Sequence, residues 1–132
     1  MNALIIDDDP VSVFLAERLL KREGLSDTAA SFQSPVKALE FLRQQIPTGL
    51  LPQVILLDLN MPLLDGWGFL DALHPLAVQL QGRCAIYLLT SSLAPSDTVR
   101  AQDYPMLAGV IRKPLDRRKI QDIQEHVTPA AA

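Results

Sequence analysis

Short apolar runs alternate along this chain with longer segments whose apolar residues recur at helical spacing. Five runs have the length and composition of β-strands, at 4–6, 27–32, 54–57, 85–89 and 109–111. The run at 54–57 is apolar at every position, which is typical of a parallel strand covered by helices on both faces. The run at 27–32 is the weakest of the five because it contains several polar residues.

Five helices are predicted between and after these strands, at 10–23, 34–46, 66–73, 95–104 and 115–127. The first helix has a start signal, since Asp9 is a good N-cap and Pro10 suits the first helical position. Gly24 supplies its stop. In the third helix, Pro75 is expected to end or kink the helix near Leu73.

Apolar residues recur at helical spacing in the first two helices. In the first helix they are Val11, Phe14, Leu15 and Leu19, and in the second they are Val36, Leu39, Leu42 and Ile46. The strict alternation of strand and helix predicts an α/β fold, a doubly wound parallel sheet with helices on both faces. At 132 residues, the chain has the size of one domain.

Composition and charge exclude several classes of function. Twelve Lys and Arg against fifteen Asp and Glu give a formal net charge of −3, so the chain lacks the basic excess expected for binding nucleic acid or an anionic membrane. The lone Cys84 excludes a disulfide framework and a thiolate zinc site. No apolar run approaches the roughly 18 residues of a membrane span, and no signal-like segment opens the chain, so we expect a cytoplasmic protein.

The candidate chemistry lies where the predicted strands end. Ligands of open α/β sheets bind outside the carboxyl ends of the strands. Four of the five predicted strands deliver polar side chains there: Asp7 to Asp9 after the first, Asp58 after the third, Thr90 after the fourth and Lys113 after the fifth. Taken singly, each of these residues is more typical of a helix cap or a turn than of a functional site. Asp9 is interpreted as the cap beside Pro10, which leaves the charges of Asp7 and Asp8 free for another role.

Crowded carboxylates must take up protons or bind a cation. Oxygen ligands without His or Cys favour Mg²⁺. A carboxylate beside Mg²⁺ can attack a phosphoryl group and form an acyl phosphate, which Lys113 and the Thr90 hydroxyl could stabilise. No glycine-rich nucleotide-binding loop occurs in the chain.

Together these residues resemble the receiver domain of two-component response regulators. The motifs are Asp7-Asp8, Asp58 followed by Asn60, Asp65-Gly66, Thr90-Ser91 and Lys113-Pro114. The resemblance implies a flavodoxin-like sheet of order 2-1-3-4-5 with five helices. It also implies that Asp58 is the phosphoacceptor, that Thr90 is the switch hydroxyl, and that Lys113 binds the phosphate. Mg²⁺ would be held by Asp7, Asp8, Asp58 and the backbone carbonyl of Asn60.

Two further positions gain meaning from the resemblance. Pro114 matches the residue whose preceding peptide bond is usually cis. Val110 departs from the commonest receiver pattern, because many receivers carry Tyr or Phe three residues before the lysine. We therefore expect any rearrangement to be carried by the backbone at 90–94 and by the helix that follows.

The function implied is that of a stand-alone receiver over residues 1–127 with a short tail at 128–132. It would accept a phosphoryl group from a phosphohistidine of a sensor histidine kinase or a histidine phosphotransfer protein, and it would switch a surface recognised by a downstream protein. The chain would be a signalling domain rather than an enzyme, and homodimer formation stays open. The alternatives are a receiver-fold interaction module that works without phosphorylation and, less favoured because Asn60 replaces a second acid, an aspartyl-phosphate hydrolase.

Overall fold

Five parallel strands form a sheet of order β2-β1-β3-β4-β5 at the centre of the molecule. The computed structural model describes residues 2–24 and 28–127. The strands are β1 (Asn2–Ile6), β2 (Thr28–Phe32), β3 (Val54–Asp58), β4 (Ala85–Thr90) and β5 (Leu107–Arg112). The doubly wound topology predicted from the strand–helix alternation and the strand order implied by the resemblance are both confirmed.

The helices are α1 (Pro10–Arg22), α2 (Pro35–Gln45), α3 (Gly66–Leu73), α4 (Pro95–Ala101) and α5 (Arg117–Val127). Short 3-10 turns follow α2 at Ile46–Thr48 and α3 at His74–Leu76, and the latter leads into one further helical turn, Ala77–Leu80. The end of α3 at Leu73, ahead of Pro75, is as predicted. None of the helices in the described part of the chain is both long and apolar enough to cross a membrane.

Several element bounds differ from the sequence prediction. β5 extends further at both ends than the predicted strand at 109–111, while α4 stops at Ala101 and α5 begins at Arg117, two residues after the predicted start. The segment of α4 has a weak apolar pattern. Backbone pairing with β4, rather than side-chain periodicity, defines β5. The predicted start of the second strand at residue 27 and the predicted tail at 128–132 lie outside the described residues.

Helices cover the sheet on both faces, and β3 lies at its centre. α1 and α5 pack on one face, where Leu56, Leu20 and Ile123 belong to one buried cluster. α2 and α3 pack on the other face, where Leu57 lies with Leu42 in a second cluster. Every residue of β3 is buried, as its continuous apolar run predicted.

Most of the apolar residues whose spacing predicts α1 lie outside its buried face. Val11, Phe14 and Leu15 are 62%, 57% and 58% exposed, whereas Val13, Ala16 and Leu20 are buried against β1 and β3. Val36 of α2 is likewise exposed. α1 carries two apolar stripes, and periodicity alone cannot choose between them; contact with the sheet decides which one is buried.

Candidate functional site

The strand ends that carry polar residues meet at one edge of the sheet. In the register of neighbouring strands, Ile6 pairs with Leu57 and Asp58 pairs with Leu89. Thr90 then pairs with Arg112, the residue before Lys113. The aligned register therefore brings Asp7, Asp58, Thr90 and Lys113 to the carboxyl edge, where the sequence placed them.

Three carboxylates form a cluster at this edge. One oxygen from each of Asp7, Asp8 and Asp58 lies within 4.8 Å of the other two. Asp7 and Asp58 are buried and Asp8 is half-buried. The Asp9 carboxylate is not part of this group. It caps α1 by accepting a hydrogen bond from the backbone N–H of Val11 at 3.0 Å, while the backbone N–H of Asp9 donates to Asp7 Oδ1 at 3.0 Å.

Lys113 joins two of these carboxylates. Its Nζ donates to Asp7 Oδ2 at 2.8 Å and lies 3.2 Å from Asp58 Oδ1. Burial disfavours the charged ammonium, but the hydrogen bond to Asp7 and the charge of Asp58 outweigh this effect and raise the pKa of Lys113. Lys113 is therefore a cation held within reach of any group that binds at Asp58.

Burial and neighbouring charges also set the protonation of Asp58. Desolvation is the largest effect, and the negative charge of Asp7 adds to it; together they outweigh the attraction of Lys113 and raise the pKa of Asp58 to about 6. One lysine therefore compensates the acidic cluster only in part.

The donor atoms of the cluster suit Mg²⁺, because they are carboxylate oxygens and carry an excess of negative charge. Asp7, Asp8 and Asp58 would hold the ion. Asn60 is exposed in the loop directly after β3, two residues beyond Asp58. Its backbone carbonyl as a further ligand stays a prediction.

Thr90 is fully buried at the end of β4. Its Oγ1 accepts a hydrogen bond from the backbone N–H of Ser92 at 3.2 Å, and its carbonyl accepts one from the N–H of Lys113 at 2.7 Å. The hydroxyl thus closes the turn that leads from β4 towards α4. The Lys113–Pro114 peptide bond is cis, as the resemblance implied.

The loop after Asp58 is held by the start of α3. The N–H of Leu59 donates to the carbonyl of Leu89, and the N–H of Gly66 donates to the carbonyl of Leu59, both at 2.8 Å. A Cβ on Gly66 would lie 2.7 Å from Leu88 Cδ1 and 2.9 Å from Leu59 Cα. Gly66 therefore lets α3 approach the backbone behind Asp58.

The sequence did not reveal two features of this region. One is the contact of Lys113 with Asp7, residues that are 106 positions apart. The other is a group of side chains beside the site, in which Trp67 stacks on Tyr104 and Arg100 lies over the indole. Neither feature has a periodic signal, because each depends on how distant segments pack.

A family model and several solved structures relate this chain to response regulator receivers. The sequence model of the response regulator receiver domain matches residues 3–125. A two-component response regulator from Cytophaga hutchinsonii superposes with a TM-score of 0.86 at 26% identity, with 96% of this chain and 95% of that chain covered. A response regulator receiver protein from Dyadobacter fermentans gives 0.85 at 28% identity, covering 98% and 99%.

A third structure shares the fold at lower identity. The CheX–CheY–BeF3–Mg²⁺ complex from Borrelia burgdorferi matches with a TM-score of 0.77 and 20% identity over 96% of this chain and 88% of that one. No curated protein sequence matches significantly. The family match spans nearly the whole chain and its motifs meet at one edge of the sheet, and the chain therefore belongs to the response regulator receiver family, whose members are signalling domains rather than classical enzymes.

Proposed function

We propose that this receiver accepts a phosphoryl group on Asp58 in a Mg²⁺-dependent reaction and thereby switches a protein-interaction surface. The observation that carries the proposal is the position of the Asp58 carboxylate, buried, beside Asp7 and Asp8, and 3.2 Å from the Lys113 ammonium. The phosphoryl donor would be a phosphohistidine on a sensor histidine kinase or a histidine phosphotransfer protein. The receiver domain would cover residues 1–127 in a cytoplasmic protein; the tail at 128–132 and the stand-alone type stay predictions.

The reaction is a transfer of the phosphoryl group between two nucleophiles. An oxygen of ionised Asp58 forms a bond to phosphorus as the phosphorus–nitrogen bond of the phosphohistidine breaks. The bond electrons return to the imidazole nitrogen, which takes up a proton from water. Lys113 turns its ammonium from the two carboxylates to the phosphoryl oxygens, and Thr90 donates its hydroxyl to one of them. When bound, Mg²⁺ would neutralise negative charge on the transferring oxygens. The chain thus catalyses only its own phosphorylation and, with water as acceptor, its dephosphorylation.

The phosphodonor protein would approach over the exposed apolar stripe of α1. Val11, Phe14 and Leu15 lie on this stripe, and Leu15 lines a groove of about 580 Å³ that also reaches Asp7 and Lys113. The same groove is lined by Arg18 and Arg22, together with the apolar Leu19 and Leu115. A donor surface that presents apolar and acidic side chains next to its phosphohistidine fits this combination.

Intact-mass measurement tests the proposal directly. The protein is incubated with Mg²⁺ and acetyl phosphate, and we expect a labile mass gain of roughly 80 Da, one phosphoryl group. Asp58→Asn should abolish the gain, whereas the matched variant of an exposed acid, Asp103→Asn, should retain it.

Other outcomes would contradict the proposal. A wild-type protein that gains no mass would indicate an interaction module that works without phosphorylation. Rapid turnover of added phosphoesters would instead indicate a hydrolase, and a mass gain that persists in Asp58→Asn would place the acceptor elsewhere.

A further inference from the structure

α4 is held against the molecule by few core contacts. None of its seven residues is buried, and Val99 at its centre is 64% exposed. Its start is fixed locally, since Asp97 Oδ2 accepts a hydrogen bond from the backbone N–H of Ala94 at 3.2 Å. Burial of apolar surface, which anchors the other four helices, therefore contributes little to the position of α4.

An open groove of about 340 Å³ separates α4 from β5. Thr98 and Ala101 of α4 line one side, and Gly109 and Val110 of β5 line the other. Gly109 has no side chain and Val110 is small, so β5 leaves the space beneath α4 unfilled. α4 thus has room to move towards the sheet.

Four side chains join α4 to α3 instead; we call them the α3–α4 clasp. Arg100 of α4 lies over the ring of Trp67 of α3, with its guanidinium carbon 4.9 Å from the ring centroid. Tyr104, in the turn after α4, stacks on the same ring at a centroid distance of 5.3 Å and an interplanar angle of 30°. Its hydroxyl donates to Asp71 Oδ1 of α3 at 2.9 Å.

Short hydrogen-bonded segments connect both ends of the clasp to the site around Asp58. Trp67 is buried and directly follows Gly66, whose N–H is bonded to the carbonyl of Leu59, next to Asp58. At the other end, the turn closed by Thr90 Oγ1 and the N–H of Ser92 leads through Ala94 into α4. A phosphoryl oxygen on Asp58 that recruits the Thr90 hydroxyl as a donor would draw Oγ1 away from Ser92 and release this turn.

We propose that the α3–α4 clasp holds α4 in its unphosphorylated position and that phosphorylation of Asp58 moves α4 by working against it. The inference rests on the proposed function of Asp58. Val110 on β5 carries no ring that could follow a movement of Thr90. If the clasp restrains α4, loosening it must free α4 already when Asp58 is unmodified, and because coupling is reciprocal it must also favour phosphorylation of Asp58.

Amide hydrogen exchange of the segment 95–101 tests the inference, with intact mass measured on the same samples. In the wild type, phosphorylation by acetyl phosphate with Mg²⁺ should raise exchange in this segment by about fivefold or more. Arg100→Ala should show the raised exchange already without the phosphodonor, and phosphorylation should then add less than about twofold. Tyr104→Phe, which keeps the ring and loses the bond to Asp71, should fall between the two.

Arg118→Ala is the matched control, because Arg118 is an exposed arginine on α5. It loses the same charge and should behave as the wild type does. The fluorescence of Trp67, the sole tryptophan of the sequence, should change on phosphorylation in the wild type and in Arg118→Ala but not in Arg100→Ala.

The two hypotheses fail in different ways. A phosphoryl mass gain without altered exchange at 95–101, or with the same response in Arg100→Ala as in the wild type, would overturn the role of the clasp and leave the phosphoacceptor intact. A wild-type protein that gains no mass would overturn the proposed function, and the inference with it.

Discussion

Asp58 is a buried carboxylate at the end of the most apolar strand, and the charges around it set its protonation. Burial and the negative charges of Asp7 and Asp8 oppose its ionisation, and Lys113 favours it, which raises the pKa of Asp58 to about 6. The residue is thus ionised near neutral pH at a cost to stability, and a bound cation would remove that cost.

This cost predicts a dependence of stability on pH in metal-free protein. Because the pKa of Asp58 is raised from 3.8 to about 6 on folding, its favourable contribution is complete below pH 3.8 and is lost as the pH rises through 6. Asp58→Asn removes the titration. In the presence of a chelator, the free energy of unfolding of the variant relative to the wild type should therefore rise by roughly 1–2 kcal/mol from pH 5 to pH 8.

Urea unfolding at the two pH values measures this difference. Asp103→Asn, which alters an exposed acid, should keep a constant difference from the wild type. The same difference at pH 5 and pH 8 for Asp58→Asn would show that burial does not disfavour the ionised carboxylate.

Lys113 is expected to act on the phosphoryl group more than on the metal. Lys113→Ala should change the Mg²⁺ affinity by less than about threefold, because the three carboxylates remain, while the initial rate of phosphorylation by acetyl phosphate falls by at least about tenfold. Calorimetric titration and intact mass measure the two quantities, with Lys37→Ala as the exposed control. Equal losses of both would assign Lys113 to the metal site instead.

At the scale of elements, the approach of α3 to the end of β3 depends on one glycine. Gly66→Ala should destabilise the fold by roughly 2–3 kcal/mol, because the new methyl group meets Leu88 Cδ1 at 2.7 Å and the backbone of Leu59 at 2.9 Å. Gly109→Ala is the control, since its Cβ would lie 3.4 Å from the Tyr87 ring, and it should cost less than about 1 kcal/mol. Denaturant unfolding gives both values, and equal costs would refute the close approach.

α1 supplies a prediction about the phosphodonor. The double variant Phe14→Ser with Leu15→Ser removes apolar surface without touching the acidic cluster. Transfer from a purified sensor kinase that phosphorylates the wild type should fall by at least about tenfold, through lost contacts with the donor, while phosphorylation by acetyl phosphate stays within about twofold.

The control for α1 is a second exposed apolar pair, Leu50→Ser with Val78→Ser, which lies away from the groove beside Asp7. It should leave both reactions unchanged. If both reactions fall together in the α1 variant, the stripe supports the fold of the site rather than recognition of the donor.

For the whole molecule, the acidic cluster predicts that Mg²⁺ stabilises the native state by mass action. At a concentration about ten times Kd, the gain is roughly 1–2 kcal/mol, which corresponds to an increase in Tm of about 3–8 °C. Asp8→Asn removes one ligand and should abolish most of the increase, whereas Glu125→Gln on the exposed side of α5 should keep it. Thermal unfolding with and without Mg²⁺ is the measurement; an unchanged Tm in the wild type would argue against a metal site.

The elements and the candidate site differ in how far the sequence predicts them. Helix starts such as Asp9-Pro10 and strand runs such as 54–57 are local, because caps, periodicity and apolar runs act within a few residues. The sequence also predicts that the polar residues after four strands lie together, because all carboxyl ends of a parallel sheet share one edge. The order of the strands was implied only by the family resemblance.

The sequence by itself determined the α/β class, most of the element starts and the set of side chains at the carboxyl edge. Only the tertiary structure decided which apolar stripe of α1 is buried, that Lys113 bridges Asp7 and Asp58, and that Trp67, Arg100 and Tyr104 join α3 to α4. The physical reason is the separation along the sequence over which each effect acts. Propensity and capping depend on neighbours in the chain, whereas burial, ion pairing and ring stacking depend on segments that meet only when the sheet and its helices are packed.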